Sequence, residues 1–90
     1  MKKQDIIREI IGKVSFTDFD GWQIGLTQDP AKRKAQWKEE GRDVSSWTEW
    51  AADSVEEARE IEAHFVNEKK MKGGTPGEFS PYRLLYVYIF

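Results

Sequence analysis

The stretch Tyr82-Arg83-Leu84-Leu85-Tyr86-Val87-Tyr88-Ile89-Phe90 is apolar on both of its alternating faces. Leu85, Val87 and Ile89 share one face, and Leu84, Tyr86, Tyr88 and Phe90 share the other. A strand with one wet face alternates apolar with polar, so this pattern predicts an inner strand covered on both sides. It is far too short to cross a bilayer, which takes roughly 20 apolar residues. Such a strand needs neighbours in its sheet and helices over its faces, and the rest of the chain must supply them.

Immediately upstream, Lys72-Gly73-Gly74-Thr75-Pro76-Gly77-Glu78-Phe79-Ser80-Pro81 cannot continue a helix and reads as a flexible connector. Before it, Ser54-Val55-Glu56-Glu57 is a capping box, in which the Ser and the Glu three residues on satisfy each other's free amides. Val55, Ala58, Ile61 and Phe65 then mark one face of a helix running to about Met71. A strand is expected near Ser46–Ala51, with Trp47 and Trp50 as its bulky members. Asp29-Pro30 opens another helix, because Asp caps free amides and Pro is tolerated at the first helical position. Its charged body reaches Glu40, Gly41 ends it, and Ala31, Ala35 and Trp37 are its expected contacts with the sheet. Val14–Thr17 and Trp22–Thr27 flank Asp18-Phe19-Asp20-Gly21 and read as a β-hairpin. Ile6, Ile7, Ile10 and Ile11 form a helical stripe that Gly12 stops. The expected order is α-β-β-α-β-α-β. That is an α/β (α+β) fold with a three- or four-stranded, mainly antiparallel sheet flanked by helices.

Ninety residues make one domain, 1–90, and the 39% hydrophobic content is enough to fill one core. There is no Cys and one His, so a disulfide framework and a structural zinc site are both excluded. Asp5, Arg8 and Glu9 interrupt any secretory core near the N-terminus, which points to a cytoplasmic protein with no membrane partner. The net charge of −2 does not announce a nucleic-acid binder, so such a role must rest on a local patch.

Glu62 is the most informative single residue. On the helical wheel it falls between Val55 and Ala58, inside the apolar stripe. A carboxylate facing a core costs several kcal/mol unless it is paired, coordinated or able to reach water. Glu62 therefore either binds something or snorkels at the stripe's margin.

Its companions sharpen the choice. Gln23-Ile24-Gly25-Leu26-Thr27-Gln28-Asp29-Pro30-Ala31-Lys32-Arg33 is a strand, a glycine turn, a capped helix start and an Arg one turn in. It resembles the second half of the GIY-YIG nuclease signature, and Ser54-x3-Ala58-x3-Glu62 resembles that family's metal-binding helix. The resemblance covers roughly Val14 to Gly74. It implies a GIY-YIG-like fold, Glu62 holding one Mg²⁺ or Mn²⁺ on a phosphate, and Arg33 steadying charge on that phosphate. A tyrosine from one of two strands would serve as general base. Here the chain departs: Gln23 stands where the second motif has Tyr, and Lys13-Val14-Ser15-Phe16 replaces Gly-Ile-Tyr. The Asn expected after the Glu helix is missing too, since Asn67 lies too close to Glu62.

Lys32, Arg33, Lys34 and Lys38 offer a phosphate-binding patch, which Lys69, Lys70 and Lys72 can join; Glu39, Glu40 and Asp43 also allow a plain solvated surface. Trp22, Trp37, Trp47 and Trp50 suit a core or base stacking. Three functions stay open. One is a catalytically impaired GIY-YIG-like domain that binds DNA, RNA or a protein partner. The second is an active metal-dependent endonuclease whose base is Tyr82, Tyr86 or a metal-bound water. The third is a protein–protein interaction module.

Overall fold

In the computed structural model, which describes residues 1–15 and 17–90, the chain order is α1 (Lys3–Val14), β1 (Ile24–Thr27), α2 (Pro30–Glu39), β2 (Thr48–Ala52), α3 (Val55–Asn67) and β3 (Leu85–Ile89). One short 3₁₀ turn, Phe19–Gly21, precedes β1. The fold is α+β. Its three strands form one antiparallel sheet in the order β1-β3-β2, so the strand that is apolar on both faces is the central one.

Among the described residues no hairpin forms between the first two expected strands. Val14 is instead the last residue of α1, which runs through Gly12; Ile6, Ile10 and Val14 make an i, i+4, i+8 stripe that is wholly buried. Ile11, expected in that stripe, is exposed. Phe16, the other apolar residue of that expected strand, lies outside the described residues. The antiparallel partner that β1 was expected to find upstream is β3, with Gly25 opposite Tyr88 and Leu26 opposite Val87. The physical reason is competition for Val14. Its burial in the helical stripe outweighs a short strand with one apolar face, while β3 has two.

The aliphatic side of the sheet carries the main core. Ile24, Leu26, Trp50, Leu85, Val87 and Ile89 pack against Ile6, Ile10 and Val14 of α1 and Ala58, Ile61 and Phe65 of α3. Trp50 is held by its indole N–H, which donates to Glu9 at 3.0 Å. The other side is aromatic: Tyr88 and Phe90 with Val44, partly covered by Trp37 and Trp47. Trp47 stacks on Tyr88 at 4.3 Å and Trp37 tilts against Phe90 at 5.2 Å. Helix α2 has no buried residue and touches this face through Trp37; Ala31 and Ala35, expected as contacts, are exposed.

α3 ends at Asn67, a turn earlier than expected, and Met71 tucks into the core from the segment beyond. That segment then runs along the outer edge of β1. The Ile24 amide donates to Lys72 O at 2.8 Å and the Leu26 amide to Thr75 Oγ1 at 3.0 Å. An edge strand's outward amides are thereby satisfied by the chain's own loop. No helix among the described residues is long and apolar enough to cross a membrane.

Candidate functional site

Glu62 is buried, at 5% exposure, and one of its oxygens is fully engaged. Oε2 accepts hydrogen bonds from the Thr75 hydroxyl at 2.7 Å, the Thr75 amide at 3.0 Å and the Gly74 amide at 3.3 Å. The Thr75 hydroxyl itself accepts from the Leu26 amide, so one chain of hydrogen bonds ties α3 to the 74–75 loop and the loop to β1. Arg59, one turn before Glu62 on the same helix, donates to Thr75 O at 3.3 Å and also to Gly77 O. Gln28 closes the far end, exchanging hydrogen bonds with Ser80. The connector is therefore pinned at both ends. The core-facing carboxylate finds its partners in the chain's own backbone, as a buried charge must find them somewhere.

Glu62 Oε1 accepts no hydrogen bond among the described residues and is not a buried unpaired atom, so it reaches the surface. It does so in a shallow hollow that Glu62 lines with Arg59, Val66, Asn67 and Gly74. No group of three metal-ligating acids or imidazoles occurs among the described residues. Three donors converge on Oε2, a setting that suits an anion's lone pairs and leaves a cation a single oxygen. That donor set does not fit a resident divalent ion.

Arg33 occupies a second hollow, of about 320 Å³, that shares Gly74 with the first. Gln23, Trp37, Tyr88 and the backbone of 73–76 complete its wall. The Asp29 side chain caps α2 through the Lys32 amide, and this sets Arg33 one turn along the helix. The Arg33 guanidinium has no carboxylate within salt-bridge range among the described residues. Of the other cations in the expected patch, Lys34 and Lys38 line a separate groove, and Lys32 lines neither hollow. Arg33 and Glu62 thus face adjacent hollows with Gly74 as their common wall.

Tyr88 lines the Arg33 hollow. Its ring lies against Gly25, where an added Cβ would come within 2.3 Å of the phenol oxygen, so only glycine admits it. The Trp37 indole N–H donates to Tyr88 Oη at 2.9 Å, and no acceptor among the described residues takes the phenol's own proton. Burial pushes its pKa above the ordinary 10.0; the Trp37 hydrogen bond and the Arg33 charge oppose that, and Glu62 adds to it. At neutral pH the hydroxyl keeps its proton and has it available to donate.

Sequence reasoning passed over Tyr88 as a site residue and named Tyr82 and Tyr86 instead. Tyr82 is 94% exposed and outside the sheet, and Tyr86 lines neither hollow. All three tyrosines look alike in the C-terminal run, and only the register that sets Tyr88 opposite Gly25 separates them. No protein-family model matches the chain, and neither a curated protein nor a solved structure matches it.

Proposed function

We propose that this chain is a GIY-YIG-like domain that binds the phosphates of nucleic acid without cutting them. One observation carries the reading. An unpaired guanidinium, Arg33, and a phenol donor, Tyr88, share a hollow whose rim includes the backbone of 73–76. A cation beside a neutral O–H donor is complementary to a phosphate oxygen pair. The resemblance asks for a tyrosine from one of the two motif strands; Tyr88 is on neither, but stands on the strand paired with β1, contributed from the other end of the chain.

Two features argue against hydrolysis. A general base must give up its proton near neutral pH, and burial holds Tyr88 in the opposite direction. Glu62 spends one oxygen on the loop, so its task here is to hold the hollow's rim in place.

The test is binding of labelled single- and double-stranded oligonucleotides at low salt, followed by incubation with Mg²⁺ or Mn²⁺. Binding that Arg33→Ala weakens about tenfold, with no cleavage, is the expected result. Metal-dependent cleavage abolished by both Tyr88→Phe and Glu62→Gln would make the chain an active nuclease. Absence of any binding at low salt would leave a protein-interaction module.

A further inference from the structure

Lys34 and Lys38 of α2 face a groove of about 520 Å³ between that helix and the 42–45 turn. Resting on the phosphate-binding reading above, we propose that Arg42, with Lys34 and Lys38, makes a second phosphate contact. A single nucleic-acid strand then crosses α2 with one phosphate in the groove and another in the Arg33–Tyr88 hollow.

Arg42 is the anchor. Its guanidinium lies 5.2 Å over the Trp37 ring and 5.0 Å over the Phe90 ring. The cation is thereby held half-buried against two aromatic rings. Contact with the rings restrains the guanidinium without using its N–H groups, and none of them donates to an acceptor among the described residues. A fork that is restrained yet unspent is suited to bidentate phosphate binding. Lys34 and Lys38 stand one turn apart on the same helical face and form no salt bridge among the described residues. The single acid of the groove, Asp43, has Oδ1 occupied by the Ser45 amide at 2.9 Å. Positive charge therefore prevails locally in a chain whose net charge is −2.

Trp37 connects the two sites through Arg42, which lines the groove. Trp37 lines the Arg33 hollow, donates to Tyr88 and carries Arg42 on its ring. Arg33 and Lys38 are five residues apart on one helix, roughly 7.5 Å along its axis at 1.5 Å per residue and about 140° around it, so a strand that reaches both sites crosses the helix and presents its phosphates in turn to each. A regular array of anions answers this spacing better than an acidic peptide, whose carboxylates alternate in direction along an extended chain.

The experiment is a fluorescence-anisotropy titration of the whole chain with labelled oligothymidylate and oligouridylate across a NaCl series. Removing one phosphate-binding cation should reduce the slope of log K against log salt by about one. Lys34→Ala/Lys38→Ala and Arg42→Ala are expected to flatten that slope and weaken binding. Arg42→Lys should keep the slope but bind several-fold more weakly, having the charge without the fork. Lys13→Ala, on α1, should change nothing. Near-ultraviolet circular dichroism checks that the Trp37 stack survives in Arg42→Ala, and Arg42→Lys decides the matter if it does not. Unchanged slopes in the groove variants, alongside weakened binding in Arg33→Ala, would overturn the second phosphate site and leave the first. Polyglutamate binding as tightly as the oligonucleotides would overturn it in favour of an acidic peptide. No oligonucleotide binding by the unaltered chain would overturn both readings together.

Discussion

One side of the sheet is covered by α1 and α3, whose Ile6, Ile10, Val14, Ala58, Ile61 and Phe65 are at zero exposure. The other side is covered by α2, which has no buried residue and rests on the aromatic cluster through Trp37. The first side is aliphatic and closed. The second is aromatic and partly open, and the hydroxyl, the indole N–H and the unpaired guanidinium groups all lie there. Burial of branched aliphatic groups stabilises in proportion to area and leaves no room for ligands. Aromatic residues with polar tips cover a sheet while keeping directional groups at the surface. The difference teaches where each property resides: the closed core on the α1–α3 side, and on the α2 side the directional polar groups to which we assign phosphate binding.

The contrast can be broken from the closed side. Phe65→Ala empties the largest fully buried side chain and should cost about 3–5 kcal/mol in chemical denaturation, enough to unfold a marginal domain. A small loss there, comparable with changes on the aromatic side, would contradict the division of labour.

Gly25→Ala sharpens it from between the two sides. The new methyl collides with the Tyr88 ring, so the phenol must leave its position. We expect a cost of about 1–3 kcal/mol from overpacking and a loss of oligonucleotide binding out of proportion to the loss of stability. If binding survived intact, Tyr88 would not be part of the recognition surface.

Tyr88→Phe should have the smallest effect on folding, about 1 kcal/mol, because the Trp37 indole loses its acceptor while the ring packing remains. Its signature is in alkaline solution. The folded-state pKa of Tyr88 lies above the ordinary value of 10.0, so its contribution to stability is complete below pH 10.0. That contribution disappears as pH climbs through the folded pKa. Denaturation midpoints should therefore fall with rising alkalinity in the unaltered protein, and less in Tyr88→Phe. Across the neutral range binding should not depend on Tyr88 ionisation at all.

Much of this was legible without coordinates. The double-faced pattern of Leu85–Ile89 marked the central strand, Ser54 and Asp29 marked two helix starts through their caps, and Glu62 stood out as a misplaced charge. The hairpin failed because Val14 fits a helical stripe and a strand face equally well, and a local pattern cannot say which burial is larger. The carboxylate's partner was hidden for a related reason. Thr75 lies 13 residues from Glu62, in a loop whose composition reads as a plain connector.

By itself the sequence determined the periodicities and the caps, since these are set by residues within a few positions of one another. It also singled out Arg33 and Glu62 as candidates, but neither Tyr88 nor Arg42. Only the tertiary structure decided that Tyr88 should stand against Gly25, that Glu62 should hold a loop, and that Arg42 should lie on Trp37. Those pairings depend on strand register, loop closure and the packing of one aromatic face, none of which leaves a signal within a short window of sequence.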